Sequence, residues 1–330
     1  MPESGRLLRR GLRTIVAMIR LEPGRFAIAI FGATVFAVAT VASSWVLGHV
    51  TDTVILPRFE TGHVRGALVL GGVAAIVGVG LVKAAGIVTR RVFATRANGG
   101  VQAQLRRQVV ERYQEVPYEF HQRSSTGELL SHAGTDVDAV ADVLAPLPFA
   151  TGVIVIILVS LAWLFATDVY LALVGVVVFP AFIITNAFYE RKVEVPAGEA
   201  QEELGIVSAI AHESFEGALV VKALGAEQLE SDRFRAAAER LRDAKLRVAS
   251  TRATFEATLD ALPTAGIAVL LPLGAWRISS GAISIGNVVS FVSLFTIIVW
   301  PLRLIGFVLG EIPRSVAGHD RVARVLAEAR

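Results

Sequence analysis

Six stretches of this 330-residue chain contain no Asp, Glu, Lys or Arg: 26–50, 66–82, 143–167, 169–189, 261–276 and 278–302. About 20 apolar residues in a helix cross the ~30 Å hydrocarbon layer of a bilayer. The second and fifth stretches are slightly short, and each extends past one charge, Lys83 or Asp260. The runs are continuous rather than alternating, which selects helices over a membrane barrel. Hydrophobic residues make up 54% of the chain and charged ones only 18%, against about 25% charged in soluble domains. Mean hydropathy is +0.59 over the whole length, so a soluble fold could not hide the apolar excess. The expectation is an all-α membrane protein with six spans, at about 25–50, 64–92, 139–167, 169–191, 250–276 and 282–309.

Charge sets the direction of insertion. Of the 32 Lys and Arg residues, all but Arg58, Arg65 and Arg277 fall in the terminal segments or in the two long connections, 83–138 and 190–252. The positive-inside rule then puts both termini in the cytoplasm, of a multi-pass protein in the cell's inner or plasma membrane. The basic pI of 9.5 is mostly this topology signal. A nucleic-acid site would need a basic patch with stacking aromatics, and none is visible.

The chain has no cysteine, which excludes a disulfide framework, a zinc ribbon and thiol catalysis. The histidines His49, His63, His121, His132, His212 and His319 have no metal-ligand spacing. Asp136, Asp138 and Asp142 read as helix-start acids that favour the N-terminal dipole end, not as metal ligands. Glu199, Glu202 and Glu203 read as a solvated face. Residues 1–24 place Leu8, Leu12, Ile15 and Ile19 on one helical stripe, with arginines around it. That pattern predicts an amphipathic helix on the membrane surface.

Loop lengths carry the most information. The outer connections are short, but two inner segments of roughly fifty to sixty residues are rich in strong helix formers. No proline falls between Pro57 and Pro117 or between Pro196 and Pro263. A helix from about His63 to Val116 would be roughly 80 Å long, over twice the hydrocarbon thickness. Two helical hairpins must therefore project into the cytosol and turn at about 117–134 and 213–225. Ser125 and Glu128 form an S-x-x-E capping box, which starts a short helix in the first turn.

The ordered motifs at these turns resemble the transmembrane domain of ABC exporters, over nearly the whole chain. Phe120, Thr126, Gly127, Glu128, Leu129, Ser131, Asp136 and Val137 match the family's first intracellular turn, where Ser125 also lies. Glu213, Gly217, Val221, Lys222, Glu227 and Phe234 match the second, where Phe215 also lies. Span six is similar to the family in Gly281, Gly286 and the run Trp300-Pro301-Leu302. The resemblance implies that each tip is a coupling helix docking on a nucleotide-binding domain, and that a dimer of two such halves forms an alternating-access pathway. It implies ATP and Mg in that other domain and no cofactor in this chain. No lysine follows a glycine here, so no Walker A loop G-x-x-x-x-G-K-[ST] exists. ATP hydrolysis is expected of the full transporter, whose ATPase would follow residues 312–330, read as the start of a linker, or stand on a separate chain.

Lys83, Asn186, Asp260 and Arg303 all fall roughly 24–32 Å from the outer ends of spans two, four, five and six. Ionisable groups in spans usually face a water-filled interior, so these four are candidates for a polar ring at the cavity mouth, with Asp260 able to pair with Lys83 or Arg303. Above it the walls would be small and apolar, with Phe291, Phe295 and Phe307 on span six, which suits a drug, lipid or peptide-like substrate. Trp45, Trp163 and Trp276 are expected as outer-interface anchors. Two other readings stay open: a regulatory module that gates a partner, and an ion-driven secondary transporter, which would need broken helices or mid-membrane charges.

Overall fold

Gly66–Glu115 is a helix of 50 residues; at 1.5 Å per residue it is about 75 Å long. The computed structural model describes residues 11, 13–63 and 65–328, and only the backbone at 61, 299, 300 and 302–314. In chain order, the α-helices are α1 (Pro23–Val50), α2 (Leu56–Thr61), α3 (Gly66–Glu115), α4 (Tyr118–Arg123), α5 (Thr126–Ser131), α6 (Val137–Asp142), α7 (Leu147–Thr167), α8 (Val169–Glu216), α9 (Ala218–Leu224), α10 (Glu227–Ser279) and α11 (Ile285–Ala327). Single π-helical turns, Thr51–Ile55 and His132–Asp136, join α1 to α2 and α5 to α6. No strand occurs among the described residues.

Among the described residues, five helical stretches are long and apolar enough to cross a membrane: Pro23–Glu60, Gly66–Glu115, Thr126–Thr167, Val169–Glu216 and Glu227–Ser279. The apolar helix Ile285–Ile298 opens α11 at the place of the sixth expected span. Helix starts follow local chemistry. Pro23 and Pro148 occupy first-turn positions, where a missing N–H costs nothing. The Ser284 hydroxyl caps α11 by accepting from the Asn287 N–H at 3.1 Å. Gly281, at φ +72, makes the left-handed turn after α10 that a side chain would resist.

Two boundaries differ from the sequence reading. The first helix does not stop at 50 but runs on through the π turn into α2. The third span is not one helix from 139: the chain breaks between Asp142 and Leu147, where Leu144 N bonds Ala141 O at 2.8 Å and Leu147 N bonds Leu144 O at 3.3 Å. Pro146 lies in this break and offers no N–H to continue the ladder.

The chain divides into two compact units, Met1–Gly175 with Ile267–Arg330, and Val176–Gly266. In the first, α1 lies against α3, α7 and α11. A Cβ on Gly48 would fall 2.1 Å from the Gly286 carbonyl oxygen, Asp52 accepts from the Gly286 N–H at 2.7 Å, and the Ser293 hydroxyl donates to Ser44 at 3.3 Å. Phe291 and Phe295, expected on the pathway wall, are buried, and Trp163 is no free anchor because its ring packs 5.3 Å from Phe291. Trp45 and Trp276 are exposed as expected; Phe307 lies outside the described side chains. Asp168 caps α8 through the Leu171 N–H at 3.0 Å and accepts from Arg277 at 2.8 Å. Arg277, counted above only for topology, also covers the Tyr170 ring at 4.8 Å.

Residues 13–19 are helical, but Ile15 and Met18 are buried in a protein core with Phe26, Val101, Leu105 and Val325. The apolar stripe therefore packs on the extension of α3, and its surface-helix assignment is corrected to that extent. Leu8 and Leu12 lie outside the described residues.

In the second unit, the α8 and α10 segments lie side by side. The Phe255 ring sits 5.3 Å from Tyr189 and 6.0 Å from Phe188. Glu199 accepts from Arg247 at 3.0 Å and Glu203 from Arg240 at 3.4 Å. Two of the glutamates read as a solvated face thus bridge the hairpin.

Candidate functional site at the two helical tips

The first tip begins where Pro117 ends α3. Val116 N still bonds Arg112 O at 3.1 Å, and the next turn starts from the Pro117 carbonyl, which accepts from Phe120 N at 3.0 Å. Tyr113 fixes the turn from inside. Its hydroxyl donates to Leu129 O at 3.0 Å, and its own carbonyl accepts from His121 Nε2 at 2.9 Å. Ser125 caps α5 by accepting from the Glu128 N–H at 3.2 Å. Only this half of the capping box is seen: the Glu128 carboxylate points along the helix to His132 Nε2, 3.8 Å away.

Asp136 is the buried centre of the tip. Its side chain is 4% exposed. Oδ1 accepts from Arg321 Nε at 2.8 Å, and Oδ2 accepts from the His132 Nδ1–H at 2.7 Å. Burial alone would raise this carboxyl, but the hydrogen bonds from Arg321 and His132, and their charges, outweigh it and hold the pKa below the usual carboxylate value. Asp136 in turn raises Arg321. Tyr113 is pushed up to about 12 by burial and by the Asp136 and Glu128 carboxylates. The Ser315 hydroxyl donates to Val140 O at 3.1 Å, and a Cβ on Gly318 would lie 2.9 Å from Asp136 O. The tip is thus bonded to the end of α11, a role beyond the helix dipole expected of Asp136. Asp138 is likewise engaged, by Arg106.

The second tip is built differently. Gly217 N bonds Glu213 O at 2.8 Å, α9 follows, and Gly225 at φ +62 turns the chain into α10. Its ion pairs are superficial: Glu213 with Arg233 at 2.6 Å and Lys222 with Glu227 at 3.6 Å. No residue of α9 is buried. Phe215 is 82% exposed and Leu219 83%. On the first tip, Tyr118 and Leu130 are exposed as well. Leu219 and Leu130 are exposed apolar residues of the tips that the motif reading did not single out; their signal is an apolar residue in a short helix far from any span.

The four cavity candidates are not resolved into a ring. Lys83 is half-buried with Nζ 5.8 Å from the Phe36 ring centroid. Asn186 is buried and Asp260 exposed, and the Arg303 side chain lies outside those described. No group of three or more metal-binding residues is found among the described residues.

Long apolar helices joined by structured turns well beyond the hydrocarbon define an all-helical membrane domain of the transporter type. The model of the ABC transporter transmembrane region matches residues 26–302, and the chain belongs to that family, with the all-α fold of an ABC exporter membrane domain. It is 26% identical to an ATP-dependent lipid A-core flippase of Aromatoleum aromaticum, over 93% of this chain and 52% of that protein. It is 25% identical to the multidrug resistance-like ATP-binding protein MdlA of Escherichia coli, over 86% of this chain and 48% of that protein. A multidrug efflux ATP-binding/permease protein of Mycobacterium tuberculosis is 28% identical over 74% of the chain and 21% of its own length. The chain spans about half the length, or less, of these relatives.

Proposed function

We propose that this chain is the membrane-spanning half of an ATP-driven exporter, and that two such halves enclose an alternating-access pathway for a hydrophobic or amphipathic substrate. The observation that carries the reading is the pair of tips: each presents apolar side chains to solvent at the end of helices far longer than a bilayer requires. Phe215, Leu219 and Leu224 on one, and Tyr118 and Leu130 on the other, are exposed, a pattern that marks a binding surface. The tips dock as coupling helices on nucleotide-binding domains, which bind ATP and Mg. The Lys and Arg bias places tips and termini in the cytoplasm.

The membrane part supports a second subunit. The apolar windows of Pro23–Glu60 and Gly66–Glu115 have equal mean hydropathy, 2.1, yet 44% of the first and 6% of the second is buried within the chain. Lipid and a partner half cover the rest. An apolar groove of about 580 Å³ between α1 and α3, lined by Thr34, Val38, Ala42, Ala75 and Val79 among others, suits an acyl chain or drug. Asp260 is proposed to act in the pathway, and Asp260→Ala alters transport while leaving insertion intact; wild-type transport by that variant would remove that role.

The deciding experiment joins the chain to its ATPase domain or partner, reconstitutes it in liposomes, and screens ATPase stimulation by lipids and amphipathic drugs. Stimulation lost on changing Glu128 or Gly217 is the expected result. A basal ATPase indifferent to every ligand and to both tip variants would overturn coupling and favour a regulatory module.

A further inference from the structure

Where α1, α3 and α7 meet, the chain holds a cation with no counter-ion among the described residues. A Cβ on Gly32 would lie 2.6 Å from the Arg90 backbone nitrogen, and one on Gly86 would lie 2.7 Å from the Phe36 nitrogen. The two glycines thus let the backbones of α1 and α3 approach more closely than side chains would permit. On the α7 side, a Cβ on Gly152 would meet Ala33 O at 3.2 Å. In this wedge the Arg90 guanidinium lies 4.6 Å from the Phe149 ring centroid and 5.5 Å from that of Phe36, which Lys83 also approaches. Arg90 Nε is buried and donates to nothing. No carboxylate pairs with Arg90 among the described residues, and the adjacent charge is Arg91, of the same sign.

Cation–π contacts offset only part of the cost of holding an unpaired charge partly out of water, and an anion would offset the rest. Position then indicates the missing group. Gly32, level with Arg90, is nine residues along α1 from Pro23, about 14 Å of helix. Arg90 therefore lies in the leaflet nearer the basic segments of the chain. Its half-buried side chain can extend toward the headgroup layer as long cationic side chains do. A planar guanidinium fork matches a phosphate, with two parallel hydrogen bonds.

We propose that Arg90, with Lys83 as a second cation, binds the phosphate of an anionic phospholipid seated in the wedge of α1, α3 and α7. The lipid is a resident ligand rather than cargo. The site goes beyond the exporter reading and is tested without ATP or transport, so either can fail alone.

The test embeds the purified chain in nanodiscs of phosphatidylcholine and titrates in phosphatidylglycerol, with retained lipid counted by native mass spectrometry and unfolding followed by heating. Wild type is expected to retain phosphatidylglycerol about tenfold over phosphatidylcholine, the value of one charge-assisted contact. Arg90→Gln loses most of that preference and Arg90→Lys keeps part of it. Arg91→Gln, which removes an exposed charge next door, leaves it unchanged. A wild type with no lipid preference overturns the site whether or not any variant folds. Arg90→Gln that melts earlier in both lipids while keeping the preference makes the residue structural, and also overturns it. Inorganic phosphate at millimolar concentration should not displace the lipid; displacement would assign a free-phosphate site instead.

Discussion

The two tips differ in construction. The first folds around Asp136, whose carboxylate is almost wholly buried and joins α11 through Arg321. The second has no buried residue in α9 and is held by ion pairs on its surface. A buried, fully bonded charge fixes one geometry, because any displacement leaves it unpaired in a low-dielectric setting. Exposed pairs exchange readily with water and fix little. The first tip is therefore a rigid strut to the end of α11, and the second a compliant contact whose position is set by whatever binds it.

The largest expected effect follows directly. Asp136→Ala leaves Arg321 and His132 without their shared acceptor and should cost about 2–4 kcal/mol. Hydrogen exchange should show it as loss of protection across 126–142 and in the last turns of α11, with α9 unchanged. Equal loosening of both tips would end the contrast.

The same carboxylate gives a pH signature. Its folded pKa lies below the ordinary value of 3.8, so its contribution is complete above that value and is lost as pH falls through the folded pKa. Acid should therefore release the first tip only as pH falls through that lowered value, and Asp136→Asn should remove that acid limb. Tyr113 acts at the other end of the scale. Its folded pKa of about 12 exceeds the ordinary 10.0 of a tyrosine, so the neutral phenol is favoured in the fold. That stability is present below pH 10 and lost between about 10 and 12. Tyr113→Phe should abolish this alkaline limb, and at neutral pH should cost only about 1 kcal/mol for the lost bond to Leu129 O.

How much of this was legible in the sequence depends on range. Span positions, the Ser125 cap, the Pro117 stop and the Gly225 turn are local, and the chain states them through hydropathy, side-chain caps and proline. The partners of Asp136 and Asp168 lie 185 and 109 residues away, and no periodicity links them. Arg277 reads as an outer topology charge and is in fact half of an ion pair. Phe291 and Phe295 read as pathway walls because hydropathy cannot tell an interior-facing ring from a buried one. The close backbone approach at Gly48 and Gly286 is likewise hidden, since a sequence shows it only as two glycines 238 positions apart.

The smallest effect on stability should accompany the clearest effect on function, at the second tip. Phe215 and Leu219 are over four-fifths exposed, so truncating either to Ala removes almost no buried area and should leave the melting midpoint within error. Both are also the largest apolar groups available to a docked domain, and anchors of this kind carry most of an interface's energy. In the chain joined to its ATPase, Leu219→Ala should therefore weaken substrate-stimulated hydrolysis severalfold while basal stability stays constant. The corresponding change at the first tip, Leu130→Ala, separates the two constructions further. A rigid strut holds its remaining contacts in register and should lose less coupling than a compliant tip, which depends on its anchors for position as well as for affinity. Greater loss at Leu130 than at Leu219 would reverse the assignment of strut and compliant contact, leaving the burial of Asp136 a matter of stability alone.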